Sequence, residues 1–262
     1  MSDTGEFAVG LCSVTFRQLD PATVVDCAAA AGIESLEWGG DVHVPEGDVR
    51  AARVAATLSA DAGLNVASYG SYLFLDEHLE RRLGAVLDTT CALGAPALRV
   101  WAPPVGDARS DHEWAPLVDA ARRTVDAAAG VGVSVYVEFH GGTATAVATD
   151  VVRLLADVEG LFTGWQVPYW SPQSRSAELT DLASFGDRLL HVDVYVWTDD
   201  GERLELGTAE EAWSERLRAA AGVTGVARSA GLVPAALLEF IPDDDPSALE
   251  AEVAALRRSL DR

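Results

Sequence analysis

The sequence predicts a closed barrel of eight β/α units. Three observations carry that reading. First, the 262 residues are long for one open sheet and typical of a (β/α)8 barrel. Second, one phrase recurs along the chain, a helix end closed by Gly and followed by a short apolar run. Third, eight such runs alternate strictly with eight helical segments, the pattern of parallel β/α units. A doubly wound open sheet is the alternative. Its dinucleotide-binding version has no support, because no GxGxxG follows the first strand.

The elements follow in order. The opening "FAVGLCSV" is a strand with no helix before it. "AAGIESLEW", "DAGLNVASY", "ALGAPALRVW", "GVGVSVYVEFH", "VEGLFTGWQV", "FGDRLLHVDV" and "SAGLVPAALLEF" supply the other seven. In most of them Gly provides the left-handed residue that stops a helix. The apolar run after it is too short for a helix and rich in Val and Leu, as a strand buried on both faces should be. Between the strands, "PATVVDCAAAA", "DVRAARVAATLSADA", "EHLERRLGAVLDTTCAL" and "APLVDAARRTVDAAA" show helical periodicity. No composition break divides the chain, so residues 1–262 read as one barrel domain. The longest irregular pieces, "GGDVHVPEGD", "APPVGDARSDHEW" and "TDDGERLELGTAEEAW", all follow strands. In a barrel those loops form the C-terminal mouth, where ligands bind.

Composition narrows the partners. A formal net charge of −22 argues against nucleic acid and anionic membranes. No apolar run reaches the roughly 18–20 residues of a membrane helix, and the N-terminus lacks the pattern of a signal peptide. Three scattered cysteines, Cys12, Cys27 and Cys91, form no CxxC and read as reduced thiols filling a core. The expectation is a cytoplasmic protein acting on a small molecule, with homo-oligomerisation left open.

The strand ends carry the chemistry. Strand two ends at Glu37 and Trp38, with Asp41 and His43 in the loop beyond. Strand three ends at Ser68 and Tyr69, strand four at Arg99 and Trp101, and strand five at Glu138 and His140. Strand six holds Gln166, with Tyr169 and Trp170 beyond it. In "HVDVYVW", read as one strand, His191, Asp193, Tyr195 and Trp197 share a face. Strand eight ends at Glu239. Buried carboxylates are costly unless paired or bound to metal. Glu138, Asp193 and Glu239, with Gln166, converge at the mouth ends of four consecutive strands. Oxygen donors at that density suit a hard divalent cation such as Mn²⁺ or Mg²⁺. Each residue also has a plainer structural reading. A single Glu at a strand end is more often a cap or ion-pair partner. His140 and His191 could be satisfied core histidines, His43 an exposed loop residue, and the aromatics rim packing.

These residues resemble a known family. "LEWGGDVHVPEGD", "VASYGSYL", "LRVWA", "VEFHGGTAT", "HVDVYVW" with a later "LEL…W", and "LLEFIPDDDP" together look like the sugar isomerase/epimerase family of the xylose-isomerase-like TIM-barrel superfamily. That superfamily also holds hydroxypyruvate isomerases, ketose 3-epimerases, inosose dehydratases and endonuclease IV. The resemblance covers nearly the whole chain and is unspecific for substrate. It implies a divalent metal held by a Glu after strand five, an Asp after strand six, a His on strand seven and a Glu after strand eight, the two Glu also serving as acid and base. Glu138 and Glu239 match the first and last. Gln166 stands where the family usually has Asp, and Asp193 where it usually has His. Both sets carry three negative charges, so the charge has moved one strand along with its total unchanged, and Asp193 reads as a ligand.

The resemblance implies an isomerase or epimerase of a sugar or polyhydroxy keto compound that abstracts a proton next to a carbonyl. Glu138 and Glu239 would be the acid–base pair. His140 would hold a hydroxyl or shuttle a proton, and Trp38, His43, Tyr69, Trp101 and Trp197 would contact the substrate. A dehydratase or lyase would use the same base and metal. Endonuclease activity is disfavoured, since that branch uses many more His and only five occur here. A non-catalytic or partner-dependent barrel with a degenerate metal site is the reading from another class.

Overall fold

The computed structural model describes residues 7–105, 111–198 and 200–262. The middle of the loop "APPVGDARSDHEW", and Asp199, lie outside them. Eight parallel strands close a barrel. They are β1 (Ala8–Cys12), β2 (Ser35–Gly39), β3 (Asn65–Phe74), β4 (Ala97–Trp101), β5 (Ser134–Val137), β6 (Leu161–Gln166), β7 (Leu189–Val194) and, after a hairpin described below, β10 (Ala235–Leu238). Neighbours follow chain order, and β10 closes the ring between β7 and β1. The helices are α1 (Pro21–Ala31), α2 (Val49–Asp61), α3 (Leu79–Leu93), α4 (Asp111–Ala129), α5 (Ala148–Asp157), α6 (Arg175–Ser184), α7 (Glu210–Ala221), α8 (Gly225–Ser229) and α9 (Leu249–Leu260). The expected alternation holds, with the short α8 as an extra turn before β10. Among the described residues no helix is long and apolar enough to cross a membrane.

The first unit shows how local chemistry sets the elements. Asp20 caps α1 by accepting from the backbone N–H of Ala22 and Thr23, and Pro21 takes the first helical position. Gly32 ends the helix at φ 80°, a conformation in which a side chain would be strained. The chain then turns directly into β2.

Strand side chains alternate between two environments. Leu11, Leu36, Leu98, Val100, Val135, Val137, Trp165, Val192 and Leu238 belong to the large apolar core shared with the helices. The opposite face, the lumen, carries Cys12, Glu37, Ser68, Arg99, Tyr136 and Asp193, all buried and in mutual contact. The hydrophobic effect therefore acts mainly between sheet and helices, and the lumen is left for polar groups. Gly70 makes room for them. A Cβ there would lie 2.6 Å from Glu37 Oε1 and 3.2 Å from Arg99 Nη2.

"HVDVYVW" is not one strand. β7 stops at Val194, and Val196–Trp197 (β8) pairs antiparallel with Arg203–Leu204 (β9) as a small hairpin over the mouth. The neighbours explain the break. β6 pairs with β7 only as far as Gln166–Asp193, and β10 only as far as Leu238–Val194, so no ladder partner remains beyond. The Tyr195 carbonyl is taken instead by the Trp213 indole, 3.2 Å away on α7.

Candidate active site

The lumen below the mouth holds a buried ion network. Arg99 donates from Nη1 to Glu37 Oε1 at 2.7 Å, and its Nε lies 3.0 Å from Glu138 Oε2. The second approach is an ion pair at an angle that does not suit a hydrogen bond. Ser68 donates to Glu37 Oε2 at 2.6 Å, and the Tyr136 hydroxyl donates to the same oxygen. Burial acts to raise the Glu37 carboxyl, but Arg99 and these two hydroxyls hold it below the usual range. Glu138 has less support. Burial raises it, and Arg99 only partly offsets that. Gln166 fastens Glu138 from the other side, donating to its Oε1 at 3.2 Å and to the Phe139 carbonyl at 3.0 Å. The Gln166 carbonyl accepts from the Tyr195 hydroxyl at 2.9 Å.

A second group sits across the lumen. Cys12, Asp193 and Glu239 are buried, and one donor atom from each lies within 4.8 Å of the others. Cys12 Sγ is 3.7 Å from Asp193 Oδ1. Among the described residues no hydrogen bond reaches the Glu239 carboxylate, and the Cys12 thiol is the donor that reaches Asp193. Burial, then the charge of Glu138, pushes Glu239 up to about 8. Burial, then Glu239, drives Asp193 well above the usual carboxylate range. Burial, then the charges of Glu37, Asp193 and Glu239, raises the Cys12 thiol. Lower in the lumen, burial pushes His191 down to about 4, so its imidazole is neutral.

Glu37, Glu138, Asp193 and Glu239 thus face one buried guanidinium, Arg99. Two of those carboxylates lack a strong donor. A buried divalent cation answers both deficits, so the donor set fits one.

Aromatic rings wall the mouth. Tyr72 stacks on Trp101 with centroids 5.8 Å apart, and Trp101 meets His140 at 4.7 Å. His140 stacks on Trp170 at 5.5 Å and meets Tyr169 at 6.1 Å. Tyr169 meets Trp197 at 4.6 Å, and Trp197 meets Phe240 at 5.0 Å. Phe240 has φ 52°, a left-handed backbone that is uncommon for a bulky residue, and it directly follows Glu239.

No family model matches the chain, and no curated protein matches it. Solved structures do. A probable 3-DHS dehydratase from Bacillus anthracis superposes with a TM-score of 0.71 at 17% identity, over 95% of this chain and 98% of that one. A xylose isomerase-like TIM-barrel protein from Mycobacterium smegmatis, in complex with magnesium, gives 0.69 at 12% identity over 100% and 99%. A D-allulose 3-epimerase from Methylomonas gives 0.68 at 15% identity over 98% and 100%. The chain has the fold of the xylose isomerase-like TIM barrels.

In this xylose isomerase-like barrel the expected site residues fall into three groups. Glu138, Asp193, Glu239 and Gln166 all reach the lumen. Asp193 and Glu239 gather with Cys12, whereas Gln166 spends both ends of its amide inside the protein and ties down Glu138. His140, Trp101 and Trp197 stand in the aromatic wall. Trp38, Tyr69 and His43 do not, and the expectation that they contact substrate is corrected. Trp38 and Tyr69 are fully buried among the residues packed between sheet and helices. The Trp38 indole donates to Ser59 on α2 at 3.1 Å, and the Tyr69 hydroxyl to the Val44 carbonyl at 2.9 Å. Glu37 and Ser68 are the lumen residues of β2 and β3, so their next neighbours must face outward. His43 is buried, with its ring nitrogens 3.0 Å from Ser13 Oγ and 3.2 Å from the Leu19 carbonyl, so it fastens its loop.

Sequence reasoning missed Cys12, Tyr72 and Phe240 as site residues and gave Glu37 and Arg99 no role. β3 runs on to Phe74, beyond the end expected at Tyr69, which brings Tyr72 to the mouth. The adjacency of Phe240 to Glu239 was the available signal for that ring.

Proposed function

We propose that the protein is a divalent-metal-dependent isomerase or epimerase of a sugar or polyhydroxy keto compound, working by proton abstraction next to a carbonyl. The observation that carries this reading is the pair Glu138 and Glu239. They stand just past the mouth ends of β5 and β10, which are not adjacent in the barrel. Both are buried, and burial raises both above the usual carboxylate range, Glu239 to about 8. They share a mouth walled by rings of the kind that sugar faces stack upon.

When bound at Asp193 and Glu239, a divalent cation supplies positive charge to the substrate oxygens on which negative charge grows as the proton leaves. Glu138, fixed by Arg99 and Gln166, takes the proton from the carbon beside the carbonyl. Glu239 delivers a proton of its own to the opposite face or to the neighbouring carbon, and the proton held by Glu138 exchanges with solvent. His140, with Nε2 3.3 Å from the Tyr169 hydroxyl, holds a substrate hydroxyl at the rim. Trp101 and Trp197 position the ring. Arg17 at the mouth is already engaged by Asp41 at 2.9 Å, which supports an unphosphorylated substrate. Free Cys12, Cys27 and Cys91 support a reducing, cytoplasmic setting.

β-Elimination is the second reading. His140 and Tyr169 could serve as acid for a leaving group, and one structural neighbour carries the name of a dehydratase. Incubation of the metal-loaded protein with free keto-sugars in D₂O, followed by NMR, separates the two. Isomerisation or epimerisation incorporates deuterium with all substituents kept, whereas elimination releases one. Equal deuterium uptake by wild type and Glu138→Gln would remove Glu138 as the base and the proposal with it.

A further inference from the structure

We propose that Cys12 is itself a ligand of the divalent cation, which is then held by one thiolate and two carboxylates, those of Asp193 and Glu239. The inference rests on the reading of this site as a metal centre and changes its composition.

Position comes first. Cys12 ends β1, Glu239 follows β10 and Asp193 lies on β7, three strands that run side by side in the barrel. Their donor atoms lie within 4.8 Å of one another. A tetrahedral ion with sulfur at about 2.3 Å and carboxylate oxygen at about 2.0–2.2 Å holds those two atoms roughly 3.6 Å apart. The observed separation of Cys12 Sγ and Asp193 Oδ1 is 3.7 Å.

The partners are otherwise idle. Glu239 is only 8% exposed, and no hydrogen bond among the described residues reaches its carboxylate. Asp193, also 8% exposed, receives only a weak thiol donor. The alternative ligands are engaged. Gln166 is hydrogen-bonded at both ends of its amide, and Glu138 faces Arg99 at 3.0 Å. Cys12 also belongs to a small apolar cluster with Val14 and Leu237, as a filler would, and its Sγ lies 3.9 Å from Glu37 Oε1. A filler would leave both carboxylates uncompensated. On binding, the thiol proton passes to solvent, a sulfur–metal bond forms and no oxidation state changes. A sulfur donor shifts preference away from Mg²⁺ toward Zn²⁺ and Co²⁺, against the all-oxygen shell the sequence implies.

The test uses the full chain with Cys27→Ala and Cys91→Ala, which leaves Cys12 as its sole thiol. Co²⁺ is titrated into the reduced, metal-free protein. The expected result is one equivalent bound, with an intense sulfur-to-cobalt charge-transfer band in the near ultraviolet. Adding Cys12→Ser should abolish the band and weaken Zn²⁺ binding at least about tenfold, with circular dichroism unchanged. Should that variant not fold, the band in the parent decides alone. Asp193→Asn should weaken Co²⁺ binding, and undiminished affinity with the band intact would overturn the proposed site. Stoichiometric Co²⁺ binding without the band would overturn the role of Cys12 and leave the metal centre standing. No binding of Co²⁺ or Zn²⁺ by the parent would overturn both.

Discussion

Glutamine at position 138 or 239 keeps the shape of the side chain but cannot take up the proton. Glu138→Gln and Glu239→Gln are each expected to lower turnover by about 10²–10⁴-fold, with melting curves of the metal-free proteins close to metal-free wild type. Retained turnover in either would remove that residue from the acid–base pair. Arg99 answers a different question, because it faces both Glu37 and Glu138. Arg99→Met leaves two buried carboxylates without their counter-charge and should cost about 3–5 kcal/mol in urea unfolding. An unchanged midpoint would mean that the network is not what holds the lumen together. The types of these residues were legible at the strand ends. Their grouping was not, because alternation fixes which side of the sheet a residue faces and not which residue meets it across the lumen. Cys12 read as filler because a thiol among Leu and Val has the pattern of any small hydrophobe.

At the scale of elements, short apolar runs predicted all eight barrel strands, most of them marked also by a Gly-closed helix end, since both signals are local chemistry. The strand-end aromatics were harder. Trp38 and Tyr69 sit one residue from lumen positions, and that single step moves them from the mouth to the buried outer side of the sheet, Trp38 against Ser59 of α2 and Tyr69 against the Val44 carbonyl. Trp38→Phe should therefore leave turnover unchanged and lower stability by about 1 kcal/mol, the indole bond to Ser59 being lost. A large fall in turnover would return Trp38 to the site. The loop between β2 and α2 hangs on His43, whose imidazole is pushed down by burial. The folded protein prefers it neutral, while in the unfolded chain it takes a proton near about 6.5. The stability it contributes is present above that pH and lost as pH falls through it toward the lower folded value. His43→Gln should flatten this part of the acid-side slope, seen as denaturation midpoints compared between pH 7 and 5. An unaltered slope would show that His43 titrates no differently on folding.

Over the whole molecule, a cation held by the folded site alone raises stability by mass action. At one hundred times its Kd the gain is about 2.7 kcal/mol, or roughly 5–10 °C in melting temperature for a chain of this size. Calorimetry of chelator-stripped and reloaded protein checks this, and identical melting temperatures would count against any metal centre. The placement of the donors adds a temporal consequence. Cys12 and Asp193 are 181 residues apart in the chain, and Glu239 lies further on. The first strand emerges with its donor long before the strands that complete the set, and closing so long a loop is slow. No partial chain offers the complete set, so a cation held by these three donors would enter only after synthesis has passed β10 and the ring has shut. Once in place, it would rivet the first strand to the last two. Hydrogen exchange should slow on metal addition at β1, β7 and β10 and stay unchanged at β3 and β4, so the ion would act as the latch that keeps the barrel from reopening where it closed.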